Sequence, residues 1–200
     1  RRLPMKQSIA WAVLLILVPC FVHAGGEGLY VGAHADFQRY ELDESEIDFD
    51  DDDAGLSFGV YAGFGKEVGN GFYAAFEVEG NTGGNKVGED GFVCIATGAN
   101  TTLQIRREGS LGAHVLLGKA IPAGRLYLKA GRVRTKFNAK DSGCPGLFRG
   151  DGYENGNSLG IGYDYDLNEQ WSVRGEYSHI GYESDGGDDD ILRLGVVFRL

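Results

Sequence analysis

The chain has 200 residues, 33 of them glycine and four proline, with 12% aromatics and a formal net charge of −10. That composition reads as a single domain of β character. Its acidity excludes nucleic acid as a partner, because the phosphates would be repelled.

Arg1, Arg2 and Lys6 precede an apolar run from Ile9 to Val18, and Val22-His23-Ala24 places small residues ahead of a cleavage point. This is the pattern of a secretory signal peptide cut after Ala24, with Met5 as the start and Arg1 to Pro4 as an upstream extension. The run is too short for a membrane-spanning helix. Leu17-Val18-Pro19-Cys20 has a trace of a lipoprotein box, but proline before the cysteine argues against it. Residues 1–24 are therefore set apart from one domain over 25–200. The leader takes three cations and no acid with it, so the remainder carries −13. Cys20 leaves too, and Cys94 and Cys144, an even pair in an exported chain, are expected to form a disulfide.

The first strand runs from about Leu29 to Tyr40, with Leu29, Val31, Ala33, Ala35 and Phe37 on one face and Tyr30, Gly32, His34, Asp36 and Gln38 on the other. An acidic loop ends at Asp53. The second strand alternates Leu56, Phe58, Val60, Ala62 and Phe64 with small residues, and Gly69-Asn70-Gly71 signals a hairpin. In the third, Phe72, Ala74, Phe76 and Val78 oppose Tyr73, Ala75, Glu77 and Glu79. A glycine-rich loop holding Cys94 should follow, up to roughly Thr102. The fourth strand sets Leu111, Ala113, Val115 and Leu117 against Ser110, Gly112 and His114, and Ile121-Pro122-Ala123-Gly124 turns the chain. The fifth alternates Leu126, Leu128 and Ala130 with Tyr127 and Lys129 before a long loop carrying Cys144. Leu159, Ile161, Tyr163 and Tyr165 mark the sixth. After Asn168-Glu169-Gln170, Trp171, Val173 and Tyr177 mark the seventh, opposed to Arg174, Glu176 and Ser178. A second acidic loop, Tyr182 to Asp190, leads to the last.

That last strand carries Leu192, Leu194, Val196, Phe198 and Leu200 at a period of two, the sign of unlike faces. About ten residues, tilted, match the reach of a membrane-spanning strand. The connections between the eight strands alternate long and short, as expected of a barrel with long outer loops and short periplasmic turns. A soluble eight-stranded barrel such as a lipocalin has no reason to sort its loops so, and would turn its apolar faces inward. The charged faces suit a narrow interior, where Asp36, Glu77, Glu79, Asp164 and Glu176 can meet Lys129, Arg174, Arg193 and Arg199.

The leader, Gly160-Ile161-Gly162-Tyr163-Asp164-Tyr165, Trp171-Ser172-Val173-Arg174-Gly175-Glu176-Tyr177 and the final strand resemble the small eight-stranded outer-membrane barrels, a group that includes OmpA-type transmembrane domains and opacity-like surface proteins. The resemblance implies an all-β, eight-stranded antiparallel up-and-down transmembrane barrel in the bacterial outer membrane. It also implies that Leu192, Leu194, Val196, Phe198 and Leu200 form an assembly signal for the barrel-insertion machinery, although Leu200 stands where the family usually ends in Phe. Members serve as adhesins, tethers or surface shields, so the expected function is non-enzymatic and exerted through surface loops, by a monomer without a peptidoglycan-tethering domain. The alternatives are a narrow channel and a lipid A-modifying enzyme.

Catalysis finds little support. Ser178 and His179 are adjacent on a strand and point apart, and Ser110 and His114 are too far along one strand to touch. No histidine has metal-ligand spacing with a cysteine, and neither acidic loop follows the EF-hand pattern, so no cofactor or metal is expected. Extending the outward parity of the strands that carry Leu111 and Leu126 places Arg107, Arg132, Arg134 and Lys136 together on the lipid side near the outer headgroups. There they would grip the phosphates of lipopolysaccharide. A bulge near Gly131 would reverse that parity.

Overall fold

The computed structural model describes residues 28–41, 54–83, 86–93, 100–141, 150–183 and 188–200. The leader and Cys94 and Cys144 lie outside these residues. Nine strands are present among them: β1 (Gly28–Glu41), β2 (Ala54–Glu67), β3 (Phe72–Thr82), β4 (Lys86–Val93), β5 (Asn100–Ile121), β6 (Gly124–Asp141), β7 (Gly150–Asp166), β8 (Trp171–Tyr182) and β9 (Asp188–Arg199). Each pairs antiparallel with its neighbours in sequence, except that β3 pairs with β5 instead of β4, and β9 returns to β1 from Tyr30↔Arg199 to Glu41↔Asp188.

The expected count of eight holds for the wall, because β3 and β4 lie end to end along one partner. Phe72 to Thr82 runs against Lys119 to Gly109, and Lys86 to Val93 continues against Arg106 to Asn100. The segment expected as a glycine-rich loop therefore contains a strand. Its own alternation is weak, but β5 overhangs the barrel and offers it a ladder of unpaired backbone groups, which a neighbouring segment satisfies by pairing.

The stagger of the closed sheet follows from the register. Leu29 lies opposite Phe64, then Phe76, Val115, Ala130, Leu159, His179 and Asp190, and the row returns to β1 at Arg39, ten residues further on. With ~3.3 Å per residue and ~4.8 Å between strands, that offset tilts the strands by roughly 40°. A row followed from β2 through β3 and β5 to β6 thus climbs from the short-turn end toward the long-loop end.

Polarity is inverted relative to a soluble protein. Phe58, Val60, Leu111 and Leu159 on the outside are 58–71% exposed, whereas Asp36 and Glu77 on the inside are 0% exposed. Near the short turns the interior holds Tyr30, Tyr61, Tyr73 and Tyr127 with Leu116 and Val197. A cap of Val133, Ile180, Ile191 and Tyr182 sits at the other end. The tyrosine rings lie over glycines of adjacent strands. A Cβ on Gly162 would fall 2.3 Å from the Tyr127 ring, and one on Gly32 would fall 2.2 Å from that of Tyr61. Glycine at these places lets a large ring lie flat against the wall of a narrow barrel.

The short turns are as expected. Asn70 adopts φ 52° between Gly69 and Gly71, both also at positive φ. Asn168 closes its turn by accepting from the backbone N–H groups of Gln170 and Trp171 at 2.9 and 2.8 Å.

Candidate functional site

The interior charges were expected to neutralise one another, and most do so in one network. Lys129 Nζ lies 3.2, 2.7 and 3.1 Å from carboxylates of Glu77, Glu79 and Glu176. Arg193 meets Asp36 at 2.8 Å, Glu79 at 2.7 Å and Glu176 at 3.1 Å. Arg174 meets Glu77 at 2.6 Å and Asp164 at 2.8 Å, with the rings of Tyr61, Tyr127 and Tyr30 at 4.6–5.8 Å around its guanidinium. Tyr30 and Tyr127 donate to Glu77 and Glu176 at 3.0 and 2.8 Å. Arg199 stands apart from this network, pairing with Asp166 at 2.6 Å at the short-turn mouth, because its place at the end of β9 leaves it below the charged layer.

A network so arranged fills the barrel. Each of its charges is buried and partnered, the condition under which charge survives in a low-dielectric interior. Reconstituted in a planar bilayer, the protein is therefore expected to give no stable openings, and Glu77→Gln and Lys129→Met should leave single-channel records equally silent. Openings that change with either substitution would restore the channel reading.

The histidines and serines separate as their parity requires. Ser178 is buried and donates to Glu176 at 3.0 Å, whereas His179 points outward, 3.0 Å from Asp190 and 3.8 Å from Asp188. His114 stands 3.9 Å from Glu79 and does not touch Ser110, which accepts from Asn81 and Arg107. Among the described residues no group of three or more histidine, cysteine, aspartate or glutamate side chains is placed to hold a metal. The first acidic loop, residues 42–53, and residues 184–187 of the second lie outside the described residues.

The basic cluster is brought together only in part. Arg132 and Arg134 are exposed on the outer wall as expected, and Lys136 lies beside them, half-buried. Arg107 is not there. The β5·β6 ladder slips between Arg107↔Phe137 and Gly109↔Lys136, leaving Glu108 as an extra residue. This bulge reverses the parity beyond it. Arg107 therefore turns inward, meeting Asp189 at 2.6 Å, Gln38 at 2.9 Å and Ser110 at 3.2 Å. Glu108 takes the outer place and pairs with Lys136 at 2.5 Å. Arg132 pairs with Glu183 and Asn157. The inward Asp189 was missed, although it shares the parity of Ile191 and Arg193 and was legible from it.

Leu192, Leu194, Val196, Phe198 and Leu200 all lie on the outer face. Phe198 packs against Trp171 with ring centroids 4.8 Å apart, and the Leu200 N–H donates to the Leu29 carbonyl at 3.0 Å.

A family model described as "Outer membrane protein beta-barrel domain" matches residues 8–199. The fold is similar to Ail of Yersinia pestis in complex with the heparin analogue sucrose octasulfate, with a TM-score of 0.57 at 12% identity over 87% of this chain and 99% of that one. Neisserial surface protein A gives 0.54 at 15% identity over 86% and 97%. A major outer membrane protein from Thermus thermophilus gives 0.51 at 13% over 86% and 99%. No curated protein matches the sequence.

Proposed function

Because the chain belongs to the outer-membrane β-barrel domain family and so resides in the bacterial outer membrane, we propose that it is a non-catalytic surface-interaction protein working through the sheet it raises above the barrel. The observation that carries this reading is the unequal height of the wall. The ladder of β8 with β7 ends at Gly156↔Tyr182, yet β7 continues to Gly150 against β6, a further six residues or roughly 20 Å along the strand. β6 continues to Asp141, and β4 and β5 rise with it. Among the described residues no strand pairs with the outer edge of β4 or with β7 above Asn155, so this sheet presents open backbone edges to the exterior. Such edges accept an extended segment of another protein through main-chain hydrogen bonds.

Charge narrows the partner. Ail is in complex with a heparin analogue in the structure named above. In this chain residues 41–53 carry nine acids and no cation, a field that repels sulfated sugars and attracts basic polypeptide. Monomeric action with lipid around the wall suits that role.

Replacing residues 88–104 with an Asn-Gly turn removes the protruding β4–β5 hairpin while leaving the barrel register intact. Cells displaying this variant should bind immobilised basic matrix proteins far less than cells displaying the full chain, with equal amounts of heat-modifiable barrel in both outer membranes. Equal binding by the two would overturn the reading.

A further inference from the structure

On the outer wall, toward the long-loop end, a groove of about 620 Å³ is lined by five strands, β2, β3, β5, β6 and β7. Its row is fixed by the register: Val60 on β2 lies opposite Gly80 on β3, then Leu111 on β5 and Arg134 on β6. Gly80 is the reason for the groove. It puts no side chain between Val60 and Leu111, which stand 64% and 71% exposed on either side. The floor is mainly apolar along β2, β3 and β5, with Thr82 and Glu108 as exposed polar groups beside it, and the cations lie at the β6 end, where Lys136 and Tyr153 join Arg134.

The strand tilt gives the groove a direction. Because the row climbs from β2 to β6, Val60 lies deeper than Arg134 by three strand spacings along a ~40° incline, about 9 Å. The groove thus runs from the apolar belt up to the headgroup level, with its cations at the top. Arg134 holds its guanidinium 4.6 Å over the Tyr153 ring and has no carboxylate partner among the described residues. Arg132, one row lower, is already engaged by Glu183 and Asn157.

We propose that this groove seats one acyl chain of lipid A, with the lipid's phosphate held by Arg134 and Lys136. An occupant needs an aliphatic chain for the floor and an anion at the rim, and it must reach the site from the outer leaflet. Lipid A is the outer-leaflet component that has all three attributes. Arginine binds phosphate through two parallel hydrogen bonds, and stacking on Tyr153 holds the guanidinium plane ready for them. Glu108, paired with Lys136 at 2.5 Å, opposes the anion and tempers its affinity.

The test is titration of the detergent-purified protein with bisphosphoryl, hexa-acyl lipid A, followed by native mass spectrometry. A Cβ at Gly80 would come no closer than 3.4 Å to the flexible Leu111 side chain, so Gly80→Leu fills the groove without straining the wall. Gly80→Ala is the smaller filling should leucine hinder assembly. Gly80→Leu and Arg134→Gln are each expected to weaken binding by about tenfold, and Glu108→Gln to strengthen it a few-fold. Dephosphorylated lipid A should bind as weakly as Arg134→Gln does, and inorganic phosphate should not compete. Unchanged binding by the groove-filling variants would leave only a basic girdle, and competition by inorganic phosphate would leave only an anion site. Either result overturns the proposal.

Discussion

Arg174→Met is expected to cost the folded barrel about 3–5 kcal/mol, the usual penalty for removing one member of a buried ion network. Arg174 is 1–2% exposed and lies between Glu77 at 2.6 Å and Asp164 at 2.8 Å, with three tyrosine rings around it. Methionine replaces most of its volume but none of its charge. Asp164 would then lose its one ion-pair partner among the described residues, whereas Glu77 would keep Lys129. Urea titration of the protein folded into lipid vesicles measures the loss. Adding Asp164→Asn to Arg174→Met should recover a substantial part of it, because the damage lies in the stranded anion. A second substitution that recovers nothing would place the damage in packing against the tyrosines.

Phe198→Asp should leave most of the protein unassembled in the periplasm, although it costs little in the folded state. Phe198 sits near the short-turn edge of the wall, where a carboxylate facing the lipid interface destabilises a barrel by only ~0–1 kcal/mol. Its partner Trp171 loses one ring contact, worth about 0.5–1.5 kcal/mol. Neither effect explains failure to insert. The purified variant should accordingly refold in detergent with near-normal yield, while outer-membrane fractions from cells contain little of it. Normal insertion in cells would overturn the reading of Phe198 as part of an assembly signal.

Strand periodicity makes the barrel wall legible in the sequence, because a two-residue period with one face in lipid leaves little freedom of register. The pairings of Lys129, Arg174 and Arg193 were legible in kind, since charges inside an eight-stranded barrel have nothing but each other. Arg107 was not. Its inward turn depends on one extra residue at Glu108, and nothing in Arg107-Glu108-Gly109 distinguishes a bulge from regular strand. β4 escaped for a different reason. Lys86-Val87-Gly88-Glu89-Asp90 has little strand preference of its own and becomes a strand because β5 extends past the barrel to meet it. The groove at Gly80 was invisible in the same sense, because it needs the cross-strand register to set that glycine between Val60 and Leu111.

The seam between β1 and β9 carries a consequence for the order of events in assembly. It joins segments 157 residues apart at the contact where Arg193 bonds to Asp36 and holds the seam from within. Until both ends of the chain are present, the sheet has two bare margins, each a template for pairing with another unfolded copy. The loop closed by this pairing is nearly the whole domain, and contacts of such long range form slowly. The chain is therefore most exposed to aggregation during the interval when it is an unclosed ribbon. Weakening the latch, as in Asp36→Asn, should lengthen that interval in pulse-chase assembly more than it lowers the stability of barrels already closed.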